Sequence, residues 1–140
     1  MKNLIPLLIA SLISLNLHAQ YSGEIKVVEL LDAETNAIGQ KIEYPNFDSA
    51  KVTIRKVIFP PGSDTGWHKH EMPVFSYILS GTLTVEVEDR KSLEYSGGES
   101  FAESIGIYHR GINKTDDDVE IIAIYLGGDQ QQLSIARPEE

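Results

Sequence analysis

A two-residue hydrophobic alternation constrains this chain more than any other feature. In Thr82–Glu88, Leu83, Val85 and Val87 alternate with Thr82, Thr84, Glu86 and Glu88. Successive side chains leave a β-strand on opposite faces, so the odd positions pack into a core and the even ones face solvent. Other runs of β-branched and aromatic residues recur along the chain, each closed by Gly, Pro, Asn or Asp. Ile25–Leu31 precedes a turn-rich Asp32–Gly39, Lys41–Tyr44 ends at Pro45, and Lys51–Phe59 stops at Pro60-Pro61-Gly62. Val74–Leu79 and Leu83–Val87 flank Ser80-Gly81, which predicts the bend of a hairpin. Gly97-Gly98 marks a turn before the short Ser100–Glu103, and Val119–Leu126 is a nearly continuous apolar strand. Asp116-Asp117-Asp118 fits a solvated acidic turn between strands. No repeat and no helical periodicity follow residue 20, so the fold class is all-β, a sandwich or a closed barrel.

With 140 residues the chain can build one packed domain. The first residues differ in kind from the rest. Met1-Lys2-Asn3 gives a short positive start, Leu4–Leu17 is mostly Leu and Ile, and Leu17-His18-Ala19 ends on a small residue. That order is the pattern of a helical secretory signal peptide over residues 1–19, cleaved after Ala19 to leave a single domain over 20–140. Its apolar run falls short of the roughly 18–20 residues a spanning helix needs, so no membrane association is expected after cleavage. Loss of Lys2 takes the formal charge from −9 to −10, and no basic cluster remains. So acidic a chain argues against nucleic acid or an anionic membrane surface as partner. Cysteine is absent, which excludes both disulfide staples and lipid attachment through an N-terminal cysteine. The expected location is the periplasm or the secreted medium.

Three histidines follow the leader, and they fall in two segments. His68 and His70 stand two apart in Gly62-Ser-Asp-Thr-Gly-Trp-His-Lys-His. On an extended strand both imidazoles leave the same face and can reach one cation. His109 comes about forty residues later at another strand entry. Three imidazoles converging inside a barrel would hold a divalent transition metal and leave one to three coordination positions open.

The spacing of these residues resembles the cupin superfamily, and in particular its small single-domain bacterial members. The first cupin motif reads Gly, five residues, His-x-His, three or four residues, Glu, six residues, Gly; Gly62, His68, His70 and Gly81 stand at the matching places. The second reads Gly, five residues, Pro-x-Gly, two residues, His, three residues, Asn; Gly98, Gly106, His109 and Asn113 match. The resemblance implies a double-stranded β-helix, the jelly-roll barrel, with metal ligands His68, His70 and His109. Two positions depart from the pattern. Ser104 replaces a proline that stiffens a turn. Val74 stands where the first motif has its glutamate ligand, which leaves three neutral ligands unless another carboxylate serves.

Two acids are the candidates. Glu71 directly follows His70 and so leaves the opposite face of a regular strand, reaching the metal only if Glu71-Met72-Pro73 bends. Glu103 closes an apolar run just before the loop that delivers His109, which makes it a candidate ligand, hydrogen-bonding partner of the ligands or catalytic acid/base group, with a solvated strand end as the alternative. Trp67 and Tyr108 each precede a histidine and should point away from the metal. Met72, Ser76 and Ile78 share the parity of the histidine pair and are expected to line an apolar cavity suited to a small organic ligand.

The leader pattern and the resemblance together imply an exported metalloenzyme acting on a small molecule. An oxygenase with iron, akin to the thiol dioxygenases, is favoured; an isomerase or lyase with zinc, manganese, nickel or copper is the other enzymatic form. The alternative is a non-catalytic module that binds a metal or ligand. A homodimer is expected, with Ile25–Leu31 as the contact strand.

Overall fold

The β-branched runs near the two ends of the cupin-like stretch find each other. Ala50–Phe59 (β1) and Val119–Gly128 (β8) pair antiparallel over ten residues, from Ala50 opposite Gly128 to Phe59 opposite Val119. In this computed structural model, which describes residues 23–139, the remaining strands are His68–Lys69 (β2), Val74–Ser80 (β3), Thr82–Val87 (β4), Leu93–Ser96 (β5), Ser100–Ala102 (β6), His109–Ile112 (β7) and Ile135–Ala136 (β9). They form a four-stranded sheet in the order β1-β8-β3-β6 and a five-stranded sheet in the order β5-β4-β7-β2-β9. Strand pairing is antiparallel throughout both sheets, and no helix occurs among the described residues. This is the all-β architecture expected of a jelly roll. The signal peptide expected over residues 1–19 lies outside the described residues.

The core lies between the two sheets. Ile78, Val119, Ile121 and Phe101 from one sheet meet Leu83, Val85 and Val87 from the other, and all are buried. Tyr95 stacks on Phe101 with ring centroids 3.9 Å apart and an interplanar angle of 11°. Burying each of the large aliphatic side chains is worth about 1.5–3 kcal/mol, and this packing stands in for the absent disulfides.

The hairpin expected at Ser80-Gly81 is corrected. β3 and β4 are consecutive but do not pair: β3 lies between β8 and β6, and β4 between β5 and β7. Ser80-Gly81 is the corner at which the chain crosses from one sheet to the other. Gly81 has φ +79°, and a Cβ there would stand 2.8 Å from Val119 Cγ2 and 3.0 Å from the Asp118 carbonyl oxygen. A glycine between two apolar strands fits a hairpin or a corner equally well, and only long-range pairing decides.

The alternation in β4 holds for Leu83, Val85 and Val87, but Thr84, flanked by Glu94 and Ile112 in mid-sheet, is buried too. Two other expected runs are not sheet strands. Lys41–Tyr44 contributes one bridge, Thr35 with Lys41, and Ile25–Leu31 is extended but unpaired. Between them, Asn36–Gln40 forms a turn clamped onto the segment after β6. Gln40 accepts from the Ile105 amide and donates to its carbonyl, both at 3.0 Å, and Asn36 Nδ2 donates to the Glu103 carbonyl at 3.2 Å.

Candidate metal centre

The centre sits inside the barrel, where β2 and β7 bring their histidines side by side. His68 and His109 are direct register partners, and His70 follows two residues beyond His68 on the same face. The three rings form a near-equilateral triangle, with centroids 4.9, 4.7 and 5.0 Å apart. Glu103, immediately after β6, completes the group, and one ligand atom from each of the four residues lies within 4.8 Å of the others.

The Glu103 carboxylate is divided between two tasks. Its Oε2 lies 3.0 Å from His70 Nε2 and 3.1 Å from His109 Nε2. Its Oε1 accepts a hydrogen bond of 2.6 Å from Ser76 Oγ, itself buried on β3. Burial works against ionising Glu103, but hydrogen bonds from His109 and His70 outweigh it and hold the carboxyl well below its ordinary value of 4.5. Burial likewise opposes a charge on His109, yet the Glu103 carboxylate raises its pKa above 6.5. At His68 burial prevails and the pKa is lowered.

Each imidazole is also oriented from behind. His68 Nδ1 lies 2.9 Å from the Gly66 carbonyl, His70 Nδ1 2.6 Å from that of Leu133, and His109 Nδ1 3.0 Å from that of Ile107. A carbonyl oxygen only accepts, so Nδ1 carries the proton in all three rings. The three Nε2 atoms are left to face the centre with lone pairs available once neutral. Backbone carbonyls behind ligating imidazoles are the usual means of fixing tautomer and ring direction.

The donor set therefore suits a divalent transition metal. Three neutral nitrogens and one carboxylate oxygen lower the charge of such an ion to +1 inside an apolar wall. The observed separations of 3.0 and 3.1 Å between Glu103 Oε2 and two Nε2 atoms match the ~3.0 Å between ligands held ~2.1 Å from one centre at right angles.

Two sequence expectations need correcting here. Glu71 is exposed and forms an ion pair of 2.7 Å with Lys69, away from the histidines. Met72, Ser76 and Ile78 are buried, as their shared parity requires, but none of the three lines the central cavity; Ser76 reaches the site through its bond to Glu103. The cavity, about 60 Å³, is instead walled by residues such as Phe59, Leu83, Val85, Ile121, Ala123 and Tyr125. Trp67 and Tyr108 do point away, under Arg110 at 5.0 Å and between Lys69 and Arg137 at 5.7 Å each. Asn113, at a motif position, is structural: its Nδ2 donates to the Phe59 and Asp117 carbonyls.

Comparison with known proteins now places the chain. The family model described as the cupin domain matches residues 55–125. The chain belongs to the cupin domain family. No curated protein matches this cupin. Among solved structures it resembles the DMSP lyase DddQ from Ruegeria pomeroyi, with TM-score 0.52 and 19% identity over 64% of this chain and 43% of the lyase. It also resembles a cupin-like protein from Thermotoga maritima, with TM-score 0.51 and 19% identity over 53% of this chain and 56% of that one. The match thus spans roughly half the length of these proteins, and at such identities the likeness shows the fold alone.

In this cupin the carboxylate stands beside the motif's glutamate position rather than at it. Val74, at the motif's glutamate position, is buried, and its carbonyl accepts the Glu103 amide at 2.9 Å. Glu103 is thus the cross-sheet neighbour of the position that lacks an acid. The sequence hinted at this through a charged residue ending an apolar run. Parity placed Ser76 on the face of the histidines, but the sequence held no signal for the Gly66, Ile107 and Leu133 carbonyls, or for Tyr125, whose ring stands edge-on to His70 at 5.6 Å.

Proposed function

We propose that this cupin is an exported metalloenzyme acting on a small organic molecule, with a divalent transition metal held by His68, His70, His109 and Glu103. The observation that carries the proposal is the convergence of three carbonyl-oriented imidazoles and one carboxylate at the wall of an apolar interior cavity. Bound there, the ion would supply Lewis acidity or, if redox-active, the one-electron chemistry that dioxygen requires. The protein's own part is to hold the ligand set rigid, to set its charge through Glu103, and to exclude bulk water with the Phe59, Leu83 and Ile121 walls. An oxygenase-type reaction suits the site best, since the lining has few polar groups to bind a highly charged substrate. Export rests on the leader pattern of residues 1–19, and N-terminal sequencing of protein from fractionated cells should begin at Gln20.

Elemental analysis of the purified protein tests the metal. The expected result is about one equivalent of a transition metal, lost in His68→Ala; trace metal under every loading condition refutes the proposal. The small cavity volume of about 60 Å³ favours a second reading, a metal-bound module without turnover. Metal that raises the melting temperature, together with no solvent-exchangeable position at the ion and no oxygenase, lyase or isomerase turnover, would establish that reading instead.

A further inference from the structure

The central cavity is small for the task proposed for it. Its volume is about 60 Å³, whereas sites that enclose a small organic molecule run to roughly 300–1,000 Å³. It has room for a reacting group beside the histidines and not for a whole substrate. The remainder has to lie in space that adjoins the cavity.

Strand β1 leads to that space. It pairs with β8 over ten residues without a break in register, so its odd-numbered side chains all face the barrel interior. Phe59 and Val57 wall the central cavity. The next three on the same face, Arg55, Thr53 and Lys51, wall a second hollow of about 440 Å³, closed on its other side by residues 130–133. The two spaces share structure. Leu133 lines the hollow, and its carbonyl orients His70 at 2.6 Å. Tyr125, opposite Thr53 in register, stands between the spaces. Its ring centroid is 5.6 Å from that of His70, and Arg55 Cζ lies 6.0 Å from it.

The interior face thus changes along one strand from apolar to cationic. The chain carries 21 acidic residues against 12 basic ones, yet no Asp or Glu lines the hollow among the described residues. Lys51 shares its charge with Asp129 at 3.8 Å. Arg110 and Arg137 hold Glu86 and Glu88, but no carboxylate among the described residues lies within ion-pair distance of Arg55. One unneutralised guanidinium is matched to one planar anion, because its fork takes both oxygens of a carboxylate. A phosphate dianion would need more positive charge than this hollow supplies in a protein of formal charge −9.

We propose that Arg55 seats the carboxylate of the substrate in the β1 hollow, while the apolar body passes Tyr125 and Val57 to bring its reacting carbon into the central cavity. The substrate class is then a small monocarboxylate held by its charged end away from the ion. That assignment rests on the reading of His68, His70, His109 and Glu103 as a metal centre. The two steps of 6.0 and 5.6 Å from Arg55 to His70 suit a short acyl chain.

Hexanoate and its uncharged counterpart hexanamide probe the seat. In calorimetric titration of the purified protein, hexanoate should bind about 10–100-fold more tightly than hexanamide. Arg55→Gln should abolish that preference, and Arg55→Lys should keep part of it, as a point charge without the fork. Equal binding of acid and amide, no binding of hexanoate, or a preference that survives Arg55→Gln would each overturn the proposal. The preference should also survive chelation of the metal; its loss would put the carboxylate on the ion instead of on Arg55. In protein loaded with Mn²⁺, nuclear relaxation of bound hexanoate should be fastest at the methyl end and slowest beside the carboxylate, and the reverse order overturns the proposal. Elemental analysis of the same samples separates the two readings. A protein that prefers hexanoate through Arg55 but takes up no metal refutes the metal centre and upholds the anion seat.

Discussion

Ser76→Ala tests how the carboxylate serves the metal centre. Ser76 is 2% exposed, and its hydroxyl donates at 2.6 Å to Glu103 Oε1, the oxygen turned away from the histidines. That bond leaves Oε2 directed at the Nε2 atoms of His70 and His109. Removing the hydroxyl changes the volume little and opens no sizeable cavity, so the loss is one hydrogen bond to a charged acceptor, about 1.5–3 kcal/mol. The bond is short and buried, which places it in the upper part of that range. Part of the loss falls on the metal-free fold. The remainder falls on metal affinity, because the carboxylate must then be ordered when the ion binds; about a 10–100-fold weakening is expected. Competition against a calibrated chelator, at a temperature where both proteins are fully folded, reads affinity apart from stability. Urea unfolding of the metal-free proteins reads the other part. An affinity within about twofold of the parent would refute the reasoning, since Ser76 would then stabilise the barrel without directing a ligand. The cycle with Glu103→Gln sharpens the test: on that background Ser76→Ala should cost far less affinity, because its charged acceptor is gone.

Other perturbations follow from the same geometry. Truncation before Gln130 removes the Leu133 carbonyl that orients His70 and should weaken metal binding by about 10–100-fold, measured by the same chelator competition. Gly81→Ala, forced against Val119 and the Asp118 carbonyl at positive φ, should destabilise the fold by about 2–4 kcal/mol in urea. Gly62→Ala, at φ +73° in open space, should cost only about 1–2 kcal/mol. In the metal-free protein the raised pKa of His109 adds stability that is present below pH 6.5 and is lost as pH rises through the raised value. Metal must displace that proton, so affinity should fall on acidification and rise past pH 6.5; melting curves with and without metal across this range should move in opposite directions.

The strands were legible where periodicity is local. The alternation of Leu83, Val85 and Val87 and the β-branched run of β1 sit in the structure as the sequence predicts. Pairing was not legible, because it depends on residues far apart in the chain. Ser80-Gly81 has every local property of a hairpin bend, yet the next strand joins the other sheet. Ile25–Leu31 has the composition of a strand, but composition carries no information about whether a neighbour stands beside it. The same limit hid the carbonyls of Gly66, Ile107 and Leu133, since any residue supplies one.

Val74 shows how a position-by-position reading of the site misleads. Taken alone, the loss of the motif's glutamate suggests a centre with three neutral ligands and a weakened grip on a dication. The sheet supplies the missing charge from next door: the Glu103 amide bonds the Val74 carbonyl, and the Glu103 carboxylate reaches the same histidines that an acid on β3 would have faced. A buried carboxylate is costly unless hydrogen-bonded, and here Ser76, His70 and His109 all bond it. The valine in turn fills apolar space that a second carboxylate could not occupy without like-charge repulsion at this distance. Val74 and Glu103 then form one arrangement rather than two separate features. Reversing only half of it, with Val74→Glu, should place two acids in one site, raise the pKa of one of them and lower stability. Val74→Glu combined with Glu103→Ala should recover metal binding by returning the carboxylate to β3. Failure of the double variant to bind better than Glu103→Ala alone would show that the acid is tied to its own strand, and that the two positions are not interchangeable.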